Sequence, residues 1–317
     1  PPPPTTRLAP SPTGALHLGN ARTFLVTWAL ARQRGWRIVY RIEDLDGPRV
    51  KPWAVELCTD LLAWLGLDWD HGPLTQSADV TPYRDALRAL VRRGLAFHTP
   101  MSRTEIQAAA SAPQEGAGEV RFPASLRPAL APAPDAEPDT GKPWRFATPE
   151  GPEGVVRFHD EFAGPQEHEP ARTIGDFVIW TGAGLPAYQL AVVVDDHRQG
   201  VTHVVRGDDL LDSAARQLLL YRALGLGPEP AYCHLPLVRG TDGKRLAKRH
   251  GDTRLDSYRA KGVTPERVIG LLASWGGVRG VTPGRPEPMT AREFAQGLDL
   301  CTIPKEPAVF TPAHDAW

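Results

Sequence analysis

The stretch Arg7-Leu8-Ala9-Pro10-Ser11-Pro12-Thr13-Gly14-Ala15-Leu16-His17-Leu18-Gly19-Asn20 joins a strand, a tight turn and the first turn of a helix. Thr6 to Ala9 has strand character, and the Pro10–Gly14 turn ends it. A helix is expected from near His17, with Leu18, Ala21, Leu25 and Trp28 on one face and Gly35 just past its end. Such a helix start offers N–H groups and a positive dipole end to an anion. His17 and Asn20 share a face of its first turn, and Gly19 lets a nucleotide approach the backbone. The Gly-Lys-Ser/Thr of a Walker loop is absent. A lone His-Leu-Gly-Asn reads more readily as a structural histidine; the Pro-Ser-Pro-Thr-Gly frame turns the balance towards phosphate binding.

Outward from this stretch the pattern repeats. Ile38 to Ile42 is a short buried strand that delivers Glu43, Asp44 and Asp46 at its carboxyl end. A helix is expected from Pro52, with Leu57, Leu61, Trp64 and Leu65 inward and Gly66 as its stop, and another spans Pro82 to Arg93. Strand–helix alternation with polar residues at strand ends predicts a parallel sheet with ligands at its carboxyl edge. Ser111 to Pro143 is rich in Ala, Pro, Gly and acidic residues, lacks periodicity, and reads as a loop-rich insertion. Regular structure resumes by Trp144. Ala187 to Val194 reads as a strand ending in Asp195-Asp196, Thr202 to Val205 as another, Ser213 to Leu224 as a helix and Tyr232 to Val238 as the last strand. The remainder is expected to be helical with a Pro-rich end.

The chain of 317 residues has 41% hydrophobic and 23% charged residues, ordinary for a soluble globular protein. No apolar run approaches the roughly 20 residues that span a bilayer, and Pro1–Pro4 does not resemble a secretion signal. A cytoplasmic location is expected. Cys58, Cys233 and Cys301 are odd in number and scattered, and read as small buried hydrophobes rather than a disulfide frame or metal cluster. The net charge of −1 excludes a generally basic nucleic-acid binder, yet Lys244 to Lys261 holds seven Lys/Arg against two Asp. That strip is either a local phosphate contact or a solvated helix face.

Together these motifs resemble a known family. Pro10 to Asn20 is similar to the HIGH signature of class I aminoacyl-tRNA synthetases, in its glutamyl form, and Arg41-Ile42-Glu43-Asp44 to the acidic strand end of glutamyl enzymes. Arg245-Leu246-Ala247-Lys248-Arg249-His250-Gly251 resembles their second signature, KMSKS, with Arg245 where lysine is usual and Ala247 where serine is common. Ala187 to Asp196 and Gly200 to Gly207 match the second half of the same domain. The resemblance covers roughly residues 6–100 and 170–317. It implies an α/β, Rossmann-type catalytic domain with an inserted loop-rich subdomain and a short helical C-terminal part. The expected division is 1–96 and 171–243 for the two catalytic halves, 97–170 for the insertion and 244–317 for the KMSKS-like loop and stem-contact region.

The resemblance implies ATP-dependent activation of glutamate, with Mg2+ accompanying ATP. The carboxylate attacks the α-phosphate in line, pyrophosphate leaves, and the protein supplies positioning and charge stabilisation. By the resemblance, His17 and Lys248 are catalytic, and His17, Gly19, Asn20, Arg245 and Lys248 hold ATP. Arg7, Ala9, Ser11, Glu43, Tyr188 and Arg206 hold glutamate: arginine forks for its carboxylates, Glu43 for its ammonium, Tyr188 along the side.

About 66 residues lie beyond Gly251, too few for an anticodon-binding domain of usual size. The chain therefore resembles most the truncated glutamyl paralogues, the glutamyl-queuosine tRNA(Asp) synthetases, which attach glutamate to queuosine at the wobble position. The implied partner is the tRNA(Asp) anticodon stem-loop carrying queuosine. Val192 stands where discriminating glutamyl enzymes usually place asparagine, which fits activation without tRNA. Many of these paralogues bind a structural zinc; the matching positions here are Thr99, Met101, Phe122 and Leu126, so no zinc is expected. Two alternatives stand beside this reading: a catalytic fragment of a conventional glutamyl-tRNA synthetase, and a non-catalytic synthetase-like binding protein.

Overall fold

The computed structural model describes residues 2–101, 105, 121–244, 246 and 252–311. Strand β1 (Thr5–Leu8) leads through the Pro-rich turn into helix α1 (Leu18–Arg34), then β2 (Arg37–Ile42), α2 (Pro52–Trp64), β3 (His71–Thr75) and α3 (Thr81–Arg92). β1, β2 and β3 form a parallel sheet in that order, with Arg7 opposite Val39 and Leu8 opposite Tyr40. α1 ends as its sequence requires: Gly35 adopts φ 66°, the left-handed value that a residue with a Cβ resists, and closes the helix onto Ala31 O.

The next part holds β4 (Ala96–His98), β5 (Trp144–Phe146), β6 (Val156–Asp160), β7 (Gly164–His168), the single turn α4 (Pro170–Thr173) and β8 (Phe177–Trp180). β4, β5 and β8 pair antiparallel. Of the expected loop-rich stretch, residues 121–143 carry one 3-10 turn, Ala124–Leu126, and otherwise turns and irregular chain; 111–120 lie outside the described residues. The positions that match the paralogues' zinc ligands are packed apolarly: Phe122 contacts Phe97 with ring centroids 5.6 Å apart, and Met101, Leu126, Leu130 and Ala147 complete the cluster. Thr99 is buried beside them and accepts from Met101 N–H through its hydroxyl at 3.3 Å.

The second half comprises α5 (Tyr188–Arg198), β9 (His203–Gly207), α6 (Leu211–Leu224) and β10 (Ala231–Leu235). Its sheet runs β7-β6-β10-β9. The β6–β7 hairpin thus precedes residue 170 in sequence, yet β6 pairs in parallel with β10. β9 meets β1 through Thr202 N–H to Thr5 O and Thr5 N–H to Thr202 Oγ1, both 2.8 Å, so the two sheets abut. Ala187 to Asp196, expected as a strand, is helix α5. Every residue from Gln189 to Asp196 is buried, because α5 is wrapped by α3, α6 and β8. A helix covered on all sides shows no polar stripe, and its Val-Val-Val run then reads as strand.

The C-terminal part, expected to be helical, carries three short helices, α7 (Leu255–Ala260), α8 (Pro265–Ser274) and α9 (Ala291–Gly297), joined by turns and irregular chain, with a two-strand parallel contact of β11 (Val238–Arg239) and β12 (Ala308–Val309). Gln33 Nε2 on α1 donates to Ala295 O at 2.6 Å and Leu298 O at 2.9 Å, fixing α9 against the first half. Cys58 and Cys233 are buried as expected, but Cys301 is exposed: its 3-10 turn, Leu300–Thr302, sits at the surface. No helix among the described residues is long and apolar enough to cross a membrane.

Gly270 sits inside α8, where alanine would ordinarily stabilise by about 1 kcal/mol. A Cβ at Gly270 would lie 2.0 Å from Glu287 O, so the helix packs backbone to backbone there. Gly270→Ala is expected to lower stability by about 2 kcal/mol through overpacking. Urea unfolding measures this, and a rise in the midpoint would contradict the packing.

Candidate active site

The carboxyl ends of β1, β2 and β9 open into one cleft of about 830 Å3, within the range of small-molecule sites. Arg7, Ala9, Ser11, Glu43, Tyr188 and Arg206 all line it, and so do His17, Gly19 and Asn20. The structure therefore gathers nine of the residues singled out in the sequence around one space. Arg245 and Lys248 lie outside the described residues, as does Ala247. Between them Leu246 is buried and donates its N–H to Val238 O at 3.1 Å.

On the nucleotide side, His17 is the N-cap of α1. Its Nδ1 accepts from Gly19 N–H at 3.1 Å and Asn20 N–H at 3.4 Å, while Asn20 Oδ1 accepts from His17 N–H at 3.4 Å. A neutral ring accepting at Nδ1 carries its proton on Nε2. A Cβ at position 19 would lie 3.0 Å from His17 Cε1, so glycine there leaves room for the His17 ring. The same turn is tied to the chain beyond the second signature, by Leu18 N–H to Thr253 O at 3.0 Å and Leu255 N–H to Leu16 O at 2.9 Å.

The other side is built on buried charge. Arg41, with no exposed surface, donates from Nη1 to Asp196 Oδ1 at 2.7 Å and Gln199 Oε1 at 2.9 Å, and from Nη2 to Glu43 Oε1 at 3.0 Å. Burial alone would depress the Arg41 pKa; Asp196 and Glu43 outweigh it and hold the group above its ordinary value. Arg7 Nε lies 3.7 Å from Asp196, and Arg7 Nη1 donates to Val205 O at 3.2 Å. Burial raises the Glu43 carboxyl above the usual carboxylate range, only partly offset by Arg41 and Arg7. A cation entering the cleft beside Glu43 would act in the opposite direction and favour its ionised form.

Arg206 is anchored differently. Nε donates to His234 Nε2 at 2.9 Å, Nη1 to Gln217 Oε1 at 2.9 Å and Nη2 to Leu210 O at 3.2 Å. Arg41, Asp196, Gln217 and His234 are not identified as site residues from the sequence. Arg41 and Asp196 fall inside stretches recognised from the sequence, but no local pattern gives them this role; Gln217 and His234 lie on elements that only the fold brings together. Val192 is buried, and the cleft wall at that turn is formed by Tyr188 and Ala191. The basic strip is less available than its sequence suggests, since Arg254 pairs with Asp252 at 2.7 Å and Arg259 with Asp60 at 2.6 Å. Among the described residues no group of three or more His, Cys, Asp or Glu side chains could hold a metal ion.

A class I synthetase catalytic domain is the class that this fold and cleft define. Residues 5–312 match the family of class I tRNA synthetases (E and Q), catalytic domain, and the chain belongs to that family. It is 46% identical over 312 residues to a glutamyl-Q tRNA(Asp) synthetase of Symbiobacterium thermophilum, covering 95% of this chain and 94% of that protein. Identity is also 46% to a protein of that name from Rhodopirellula baltica, over 86% of this chain and 84% of the relative. A glutamate tRNA ligase from Elizabethkingia meningosepticum, crystallised in complex with its amino acid, superposes with a TM-score of 0.78 at 25% identity, across 98% of this chain and 68% of the ligase.

Asp196→Asn would leave buried Arg41 with one anion instead of two. Removing one partner of a buried pair typically costs about 3 kcal/mol or more. Urea unfolding of Asp196→Asn should show a loss of that size, and an unchanged midpoint would refute the role given to the cluster.

Proposed function

We propose that the chain activates glutamate with ATP–Mg2+ as glutamyl-adenylate and transfers it to queuosine at the wobble position of tRNA(Asp). The observation that carries this reading is the single cleft in which a histidine-capped helix start faces Arg7, Glu43 and Arg206. The relatives named glutamyl-Q tRNA(Asp) synthetase, matched over nearly their whole length, support the acceptor.

In this reading glutamate lies with its carboxylates toward Arg7 and Arg206 and its ammonium toward Glu43, with Ala9, Ser11 and Tyr188 shaping the pocket. His17 donates Nε2–H to the phosphates, Gly19 and Asn20 line the ATP side of the cleft beside it, and Arg245 and Lys248 close on the pyrophosphate side. The acceptor nucleophile is a hydroxyl of the queuosine ring, presented by the anticodon stem-loop. The division at 1–96, 97–170, 171–243 and 244–317 belongs to the same proposal, as does a cytoplasmic location.

Wild-type protein is expected to catalyse glutamate-dependent ATP–pyrophosphate exchange without tRNA, and to label a stem-loop carrying queuosine but not one carrying guanosine. Labelling of tRNA(Glu) at its 3′ end would favour a conventional synthetase fragment, and no exchange at all a binding protein. His17→Asn keeps a good N-cap and removes the Nε2 donor. Exchange should fall about a hundredfold, the usual loss for one transition-state donor, with little change in melting temperature. An exchange rate close to wild type would remove His17 from catalysis.

No zinc is proposed for the cluster of Phe97, Met101, Phe122 and Leu126, whose apolar contacts fill the place of a ligand set. Elemental analysis should find no stoichiometric zinc, and chelators should leave the melting temperature unchanged. About one zinc per chain would overturn it.

A further inference from the structure

Arg206 reaches the cleft from β9, and the groups behind it form a continuous chain. Asp160, at the end of β6, has no exposed surface. Its Oδ1 takes the backbone N–H groups of Phe162 at 3.0 Å, Ala163 at 2.8 Å and His234 at 3.1 Å, and its Oδ2 takes His234 Nδ1–H at 2.6 Å. His234, on β10 and 1% exposed, then offers the Nε2 lone pair to Arg206 Nε–H at 2.9 Å. On the other side Gln217 accepts from Arg206 Nη1 and donates to Gln189 Oε1 at 3.0 Å, and Gln189 donates to Ser213 Oγ at 3.1 Å.

We infer that the buried Asp160–His234 pair is the positioning device for Arg206, with Asp160 fixing the His234 tautomer whose Nε2 aims the guanidinium at a substrate carboxylate. An arginine has only donors, so His234 Nε2 must be bare, and the ring proton must sit on Nδ1. An ionised Asp160 selects that tautomer, as carboxylates behind functional histidines do. Burial pushes the His234 pKa down, partly countered by Asp160, which favours the neutral ring this arrangement needs. Asp160 stays ionised: burial would raise its pKa, but the bonds from His234 and the backbone outweigh that and lower it.

The inference rests on the reading of Arg206 as a glutamate-carboxylate donor, so the test separates the two. In Asp160→Asn the three backbone N–H groups hold the amide oxygen at Oδ1, so the amide NH2 must face His234 Nδ1. That forces the proton to Nε2 and sets N–H against N–H at Arg206. Kinetics of ATP–pyrophosphate exchange should show the KM for glutamate raised at least tenfold, with the KM for ATP within about twofold of wild type. His234→Asn, which has no atom at the ε position, should behave the same way. His234→Gln restores an acceptor near that position and should stay within about threefold of wild type. A second measurement needs no variant to fold well: 15N–1H correlation spectra of histidine-labelled wild-type protein should show a neutral, Nδ1-protonated His234 from pH 6 to 8.

An Nε2-protonated ring, or an unchanged glutamate KM in Asp160→Asn and His234→Asn while Arg206→Gln raises it about a hundredfold, would overturn the inference alone. No glutamate-dependent exchange by wild type, or an Arg206→Gln variant with unaltered glutamate KM, would instead overturn the reading of the site.

Discussion

A guanidinium with no exposed surface, that of Arg41, sets the conditions that the centre of the molecule has to meet. Placing a full charge in the interior is unfavourable by several kcal/mol unless anions and acceptors surround it. Here those partners come from distant parts of the chain: Glu43 from the end of β2, Asp196 from α5 and Gln199 from its C-cap. Asp196 and Gln199 are three residues apart, so they share a helical face, and only a helix at this place presents both to one arginine. Asp195 turns to another side, where Gln76 Nε2 and Tyr83 hydroxyl donate to it at 2.7 and 2.8 Å. The cluster thus fixes α5 against the first sheet and, through Glu43 and Arg7, shapes the floor of the cleft.

At the opposite wall one imidazole has a structural and a proposed chemical role at once. His17 caps α1 with Nδ1, which leaves the proton on Nε2, and Gly19 keeps the space over the backbone in which the ring lies. Because residues 16–18 are hydrogen bonded to 253–255, the chain leaving the second signature is anchored to the first. Residues 16–18 and 253–255, more than two hundred positions apart in sequence, are thereby held together.

The first sheet is legible in the sequence because its helices and strands carry ordinary punctuation: Gly35 after α1, Pro52 opening α2, the short Ile38-Val39-Tyr40 run in β2. β3, His71–Thr75, escapes such a reading, since a strand of His-Gly-Pro-Leu-Thr has neither alternation nor β-branched bulk. α5 takes on the look of a strand because complete burial removes the amphipathic signal on which a helix is recognised. The residues lining the cleft can be named from their motifs, and they do converge. Their supports cannot: Asp160 and His234 are 74 positions apart on β6 and β10, and no local pattern marks either one. Surface pairing is also hidden, so that a strip of seven cations reads as more positive than Asp60, Asp252 and Asp256 leave it.

Two arginines at the cleft are held by opposite means, and the difference bears on what the cleft can take. Arg41 is neutralised by direct contact with Asp196 and Glu43, so its charge is spent inside the protein. Arg206 is gripped by an imidazole nitrogen, an amide oxygen and a backbone carbonyl, all neutral acceptors, and an anionic support, Asp160, lies behind the His234 ring. Its guanidinium also lies over the Tyr232 ring, 5.2 Å from the centroid, a contact that favours a cation without cancelling it. Orientation is thereby fixed, and in the proposed reading the charge is left for a ligand. A site arranged in this way gives up some stability of the empty protein for a preorganised donor. In the proposed reading, a carboxylate entering the cleft supplies Arg206 with the anionic partner that Asp196 and Glu43 provide to Arg41.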